Sequence, residues 1–274
     1  MIKDEEISRH NMKIVERLQP AKPQQEAHPQ QESIIALPYV PISEPKATLK
    51  PNPKPNLNSE KTRIEISQQE KEVLMNIYSN LWIGIVERCK ELNLSIGAGS
   101  RTIDSLIKKG FVTPWDIRTT IKGRATRFLE ISAKGYIVLN ASPHIYTRGA
   151  NYPHTCFQNL IARHFKKLPN VIKVEIEGSL GNNSKCVDVL IRMQDGKYIA
   201  IEVAMSSVNE HSNTIKDLEA GCMAVIIVCE NAKVLASVEQ ILAKIDPEGK
   251  QTSAVLLPQV LKCKSVEELI GGAL

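Results

Sequence analysis

The sequence predicts an α/β protein in three parts: a disordered N-terminal arm, a small helical domain closed by a β-hairpin, and an α/β/α domain on a mixed central sheet. Three observations carry that reading. Nine of the 15 prolines (Pro20, Pro23, Pro29, Pro38, Pro41, Pro45, Pro51, Pro53 and Pro55) fall in the first 60 of 274 residues, where Tyr39 is the sole aromatic. Residues 61–145 follow a helical period and then show two short strand-like runs. From residue 150 the order becomes helix, three strands joined by turns, helix, strand, helix, an order in which helices cover both faces of one sheet.

An arm so poor in apolar side chains buries too little surface to offset its ordering entropy, so residues 1–60 are expected to be disordered. Within it, KDEEISRHNMKIVERLQP allows a short helix ending at Pro20, and the rest reads as a proline-rich linker with polyproline II character. From Ser67, Val73, Leu74, Ile77, Leu81 and Ile85 recur at three- and four-residue spacing, which predicts an amphipathic helix. NLSIGAGSR reads as a turn, with Ser100 the expected N-cap of RTIDSLIKKG and Gly110 its stop. Phe111-Val112 and Phe128 to Ile131 read as strands flanking a basic, glycine-containing excursion, and a short helix starts at Ser132. This is the order of a winged helix-turn-helix, assigned to residues 61–145.

The last part, residues 150–274, opens with a helix from about His154 to Lys167. Strands VIKVEIE, CVDVLIRM and YIAIEVAMS follow, separated by GSLGNNSK and QDGK. The helix NEHSNTIKDLEAG leads to the strand MAVIIVCE and a helix ending near Ile245; TSAVLLP is an expected edge strand and KSVEELI a terminal helix.

Charge is unevenly spread. The three segments 1–60, 61–150 and 151–274 carry net charges of 0, +6 and −1, which sum to the +5 of the whole chain. A localised cationic excess points to a polyanionic partner. Between Gly99 and Phe128, Arg101, Lys108, Lys109, Arg118, Lys122, Arg124 and Arg127 are opposed only by Asp104 and Asp116. Such a helix and wing suit phosphate contact, with Ser100 and Arg101 at the expected helix start, so DNA is the expected partner. The competing reading is a winged helix used for protein contacts, its basic face merely solvated.

Several classes are excluded or disfavoured. No apolar run approaches 18 residues and MIKDEEISRH has no apolar h-region, so a cytoplasmic protein with no membrane partner is expected. The six cysteines contain no CxxC pair, which favours reduced, mostly buried thiols. SIGAGS has no preceding strand and no GK[ST], and no GxSxG or HExxH occurs. Cys156 and His154 fit no common zinc spacing.

Two acids stand out. Asp188 lies inside the apolar run Cys186 to Ile191, and Glu202 inside Ile199 to Ala204. A carboxylate inside a covered strand costs several kcal/mol unless donors or a cation meet it. The Asp195-Gly196 turn joins the two strands as a hairpin, bringing both acids toward one edge of the sheet. Hard oxygen ligands of this kind suit Mg²⁺ or Mn²⁺. Glu175 and Glu177 alternate on the preceding strand and are expected to point the same way, either of them completing the acidic set.

An acid, then Asp188 in the second strand, then Glu202 in the third with a helix after it, resembles the PD-(D/E)xK, or restriction-endonuclease-like, nuclease superfamily over residues 151–245. The resemblance implies a metal-dependent phosphodiesterase in which Asp188 and Glu202, joined by Glu177, hold the metal. It also implies a lysine two residues after the glutamate, but Ala204 stands there, and Lys216 on the next helix is the candidate replacement. His154, with Gln158 one turn on, falls where members of the superfamily carry an active-site side chain; a helix-capping histidine is the competing reading.

The expected function is therefore DNA binding by the winged helix with metal-dependent endonuclease action at Asp188, Glu202, Lys216 and His154. The alternative is a catalytically inactive nuclease-like protein that binds DNA and dimerises or recruits a partner in a mobile-element, replication or transfer assembly. A homodimer, and a protein partner docking on the proline-rich arm, belong to that expectation. The pairing of a winged helix with such a domain also resembles proteins of mobile genetic elements.

Overall fold

The structure is a computed structural model that describes residues 65–146, 150–180 and 186–270. The proline-rich arm and its short helix lie outside the described residues.

Helix α1 (Gln68–Ser79) starts where Ser67 and Glu70 form a reciprocal capping box. Glu70 does more than cap. Its carboxylate accepts from Ser105 Oγ at 2.7 Å and from Lys109 Nζ at 2.7 and 2.8 Å, tying the start of α1 to the end of the third helix. Burial opposes its ionisation, yet the hydrogen bonds from Lys109, Ser105 and Ser67 outweigh burial and hold the carboxyl at about 2. The helical pattern through Leu81 and Ile85 is broken: α1 stops at Ser79, and α2 (Ile85–Glu91) is a separate short helix. The turn between them is held by Arg88, which donates to Asn76 Oδ1 at 2.5 Å and to the carbonyls of Asn80 and Ile83 at 2.8 and 3.3 Å.

The expected turn at NLSIGAGSR is mostly helix. Helix α3 (Ile96–Lys108) begins five residues earlier than predicted, with Ser95, not Ser100, as its N-cap accepting from Ala98 N–H. Gly97 and Gly99 lie inside the helix. A Cβ at Gly99 would sit 2.2 Å from Cys89 Sγ, so this glycine serves close approach of α2 and α3 and does not break the chain. Strands β1 (Val112–Ile117) and β2 (Thr126–Ile131) pair antiparallel from Val112↔Ile131 to Ile117↔Thr126, and α4 (Ala133–Leu139), capped by Ser132, closes the unit. Val73, Leu74, Ile77, Ile103, Leu106, Phe111 and Leu129 form its core. The arrangement is a winged helix-turn-helix with the wing at residues 118–125.

The remaining elements are α5 (Tyr152–Phe165), β3 (Val171–Ser179), β4 (Cys186–Met193), β5 (Tyr198–Ala204), α6 (Glu210–Glu219), β6 (Ala224–Cys229), α7 (Ala232–Ile245), β7 (Thr252–Leu256) and α8 (Leu257–Val260). The five strands form one sheet in the order β3-β4-β5-β6-β7, antiparallel up to β5 and parallel from there. The sequence-based reading misses α8, and its terminal helix is reduced to a 3₁₀ turn at Glu267–Leu269. Helices α5 and α8 cover one face over Val189, Ile191, Ile201 and Val203; α7 covers the other over Leu190, Ala200, Val225 and Ile227. This is an α/β/α sandwich with a mixed central sheet.

The winged helix and the sandwich share packing. Leu81, Ile117 and Phe128 belong to the same buried cluster as α5 and the sheet, and the Tyr152 hydroxyl lies 2.9 Å from Leu81 O and 3.1 Å from Leu129 O. Cys89, Cys156, Cys222, Cys229 and Cys263 are buried thiols. Among the described residues no helix is long and apolar enough to cross a membrane.

Candidate active site

The sheet is distorted where the acids sit. Glu177 has φ of +54°, a left-handed conformation unusual for a non-glycine residue in a strand. The ladder between β3 and β4 runs through Ile176↔Val189 and resumes at Gly178↔Val187, leaving Glu177 and Asp188 out of the paired register. Gly178 is needed beside it, because a Cβ there would meet Leu190 Cβ at 2.6 Å. On β4, Val189 and Ile191 belong to the cluster under α5 and Leu190 to the cluster under α7, but Val187 joins Leu190. Strict alternation is lost at Asp188, and so the acids are re-aimed.

The consequence differs from the expectation that Asp188 and Glu202 share one edge and that Glu175 and Glu177 point the same way. Asp188 reaches the α5 side. Its Oδ2 accepts from Val203 N–H at 2.8 Å and lies 3.2 Å from His154 Nε2, while Oδ1 accepts from Gln158 Nε2 at 3.0 Å. Gln158 Nε2 also donates to Glu177 Oε1 at 3.2 Å. Glu175 instead pairs with Lys173 at 2.8 Å. Glu202 stands on the α7 side, between Ala200 and Ala204 of that cluster, where Lys216 Nζ meets its Oε1 at 3.2 Å and Asp217 Oδ1 at 3.2 Å. Lys216 also donates to Cys186 O at 3.3 Å. The helical lysine therefore reaches the glutamate that has Ala204 two residues on.

Helix α6 explains how. Its buried residues are Glu210, Thr214 and Asp217, spaced i, i+4, i+7, so it turns a polar stripe inward. Periodicity alone would have exposed this: the stripe is legible in NEHSNTIKDLE, yet an acid in a first helical turn is ordinarily solvated. Glu210 and Asp217 are the site residues that the sequence reading misses. Each leaves one buried carboxylate oxygen without a hydrogen bond.

Electrostatics follows from this crowding. Burial, then the Asp188 charge, pushes the Glu210 carboxyl up to about 7. Burial also raises Glu202, with Asp188 and Asp217 adding to it and Lys216 opposing. Asp217 is raised by its burial as well. Around Asp188 burial works against both charges, but the contact of His154 with Asp188 outweighs it, so His154 rises above its usual value and Asp188 falls below. Asp188 and His154, shifted in opposite directions by their contact, line a cleft of about 340 Å³ together with Asn151 and Glu177 and mark a functional-site candidate.

The donor chemistry fits a hard divalent cation: carboxylate oxygens on β3, β4 and β5, with an orphaned buried oxygen on Glu210. The expected holders do not share a side of the sheet: Asp188 and Glu177 meet at Gln158 on the α5 side, and Glu202 stands with Lys216 on the α7 side. They are not gathered as a cage, since among the described residues no three such groups converge on one point.

On the winged helix, Arg101 and Lys108 are exposed seven residues apart on α3, and Arg118, Lys122 and Arg124 are exposed on the wing. Ser100 is half-buried in the second turn of α3 and caps nothing. Two other basic residues are engaged within the fold: Lys109 by Glu70, and Arg127 by Asp116 at 3.0 Å.

No protein-family model matches the chain, and no curated protein matches it. A solved structure, a mutant of E. coli MarR complexed with operator DNA, aligns with 28% of this chain at 24% identity and a TM-score of 0.25. The chain spans 52% of that MarR chain's length. A likeness this small fixes neither fold nor function.

Proposed function

We propose that this protein binds duplex DNA through α3 and the β1–β2 wing and hydrolyses a phosphodiester bond in the cleft at Asp188. One observation carries the reading: from four elements come two contact pairs, Asp188 with His154 and Glu202 with Lys216, on strands where burial and the Asp188 charge leave Glu202 short of positive charge. Of the acids expected to hold Mg²⁺ or Mn²⁺, Asp188 and Glu177, joined through Gln158, are the pair that would hold it, and the ion would supply charge to offset the phosphate and make water a better nucleophile. Lys216, held by Glu202, would position the attacking water, whose proton leaves to solvent. His154, kept protonated to higher pH by Asp188, donates to the leaving oxygen. Arg101, Lys108, Arg118, Lys122 and Arg124 grip the duplex backbone, with affinity that falls as salt rises.

A second reading rests on Ala204 and on the absence of a gathered metal cage among the described residues: a nuclease-like domain without activity that recruits or dimerises. One experiment separates the two. Full-length protein with Mg²⁺ or Mn²⁺ should nick or cut duplex, single-stranded or branched DNA, and Asp188→Asn and Lys216→Met should abolish cutting while duplex binding persists. No cutting of any substrate, with no metal-induced rise in melting temperature, favours the recruitment reading. Arg101→Ala with Lys122→Ala should weaken duplex binding and lower its salt slope by about 2; unchanged binding would overturn the DNA assignment.

A further inference from the structure

A second, larger cavity of about 700 Å³ lies between the α1–α2 turn and the outer face of α5. Its walls carry Tyr78, Trp82 and Tyr146, and its rim carries Arg163, Lys166 and Lys167. The rings are already ordered against neighbours: Trp82 lies 5.1 Å from the Tyr152 ring and 6.4 Å from Tyr146, and Tyr78 lies 4.7 Å from the His144 ring. Arg163 is paired with Glu87, whereas Lys166 and Lys167 are exposed and make no ion pair among the described residues. Aromatic faces beside free cations are what a single nucleic-acid strand requires, since unpaired bases stack on rings and the backbone follows positive charge. A duplex keeps its bases stacked inside and has no use for such rings.

Position strengthens the case. On α5, Thr155, Asn159 and Ala162 face this groove, while their neighbours His154 and Gln158 face Asp188; on β3, Ile176 lines the groove and Glu177 the acidic cleft. The groove and the cleft are thus adjoining faces of the same helix and strand. We infer that the Trp82–Tyr146–Lys166 groove holds single-stranded DNA and leads it to the acidic cleft, which makes a splayed or single-stranded segment the substrate class. This rests on the reading of the protein as one that acts on DNA.

The test uses the chain's two tryptophans, Trp82 and Trp115. In full-length Trp115→Phe protein, Trp82 is the sole tryptophan reporter, and an oligothymidylate should quench its fluorescence saturably at low salt. Adding Lys166→Glu and Lys167→Glu, both at exposed positions, should weaken oligothymidylate binding at least about tenfold and lower its salt slope by about 1.4, while duplex affinity changes less than about twofold. No quenching with duplex binding intact would overturn this inference alone. Loss of duplex binding in the parent protein would instead strike the reading beneath it. Quenching by a peptide of residues 20–60 and not by oligothymidylate would also overturn it, and give the groove to the chain's own arm.

Discussion

Glu210 shows how a single carboxyl registers the crowding of acids around Asp188. It is buried at the start of α6 with one oxygen unbonded, and burial plus the Asp188 charge raises it to about 7 from an ordinary 4.5. The native state therefore holds a proton over a range in which the unfolded chain has released it. Its contribution is fully present below about pH 4.5 and is lost as pH rises through 7. Glu210→Gln keeps the shape and removes the ionisation, so its stability should match wild type near pH 4.5 and exceed it by about 1–3 kcal/mol at pH 8. Chemical denaturation at the two pH values measures this; an equal effect at both would show that Glu210 is not protonated in the fold. Improved stability with impaired cutting is the expected combination for a group retained for function.

At the scale of elements, the helix-turn-helix depends on how closely α2 and α3 approach. Gly99→Ala places a methyl group against Cys89 Sγ, and since Cys89 is buried there is little room to yield. A loss of about 1–3 kcal/mol is expected from overpacking, despite the better helix propensity of alanine, and Gly97→Ala, with open space around its Cβ, should instead be neutral or slightly stabilising. Paired melting curves decide this, and equal effects would remove close packing as the reason for Gly99. The same pair explains a misreading. Glycines are ordinarily breakers in a helix, so the sequence points to Ser100 as the start of α3, and only a tertiary contact reveals why Gly99 belongs inside it. The strands, by contrast, were legible: apolar runs bounded by Asp195-Gly196 and by Gly221 read directly as β4, β5 and β6. Asp188 and Glu202 were conspicuous as charges in those runs. What strand periodicity hid was the left-handed turn at Glu177, because alternation predicts side-chain direction only while the ladder stays regular. Lys216 is the sole lysine on its helix and so is legible as the candidate, whereas nothing in residue type alone separates Glu210 and Asp217 from solvated helix acids.

For the whole molecule, the decisive contact is Tyr152, which anchors the first turn of α5 to carbonyls of the α1–α2 turn and of β2. Tyr152→Phe leaves the ring in place and removes the hydroxyl, so the buried oxygens of Leu81 and Leu129 lose their donor. A cost of about 1–3 kcal/mol should appear as a lower melting temperature. An unchanged melting temperature would mean that packing alone joins the two parts.

Leu81, Ile117 and Phe128 extend that contact into a continuous apolar core from wing to sheet. A protein joined in this way behaves as a ruler. The span from α3 to the acidic cleft is set by side chains locked in one interior, so under the proposed function DNA held by α3 would meet the cleft at a fixed offset from where it is held. Products of any cutting should then end at a constant number of nucleotides from the protected duplex, whatever the sequence between.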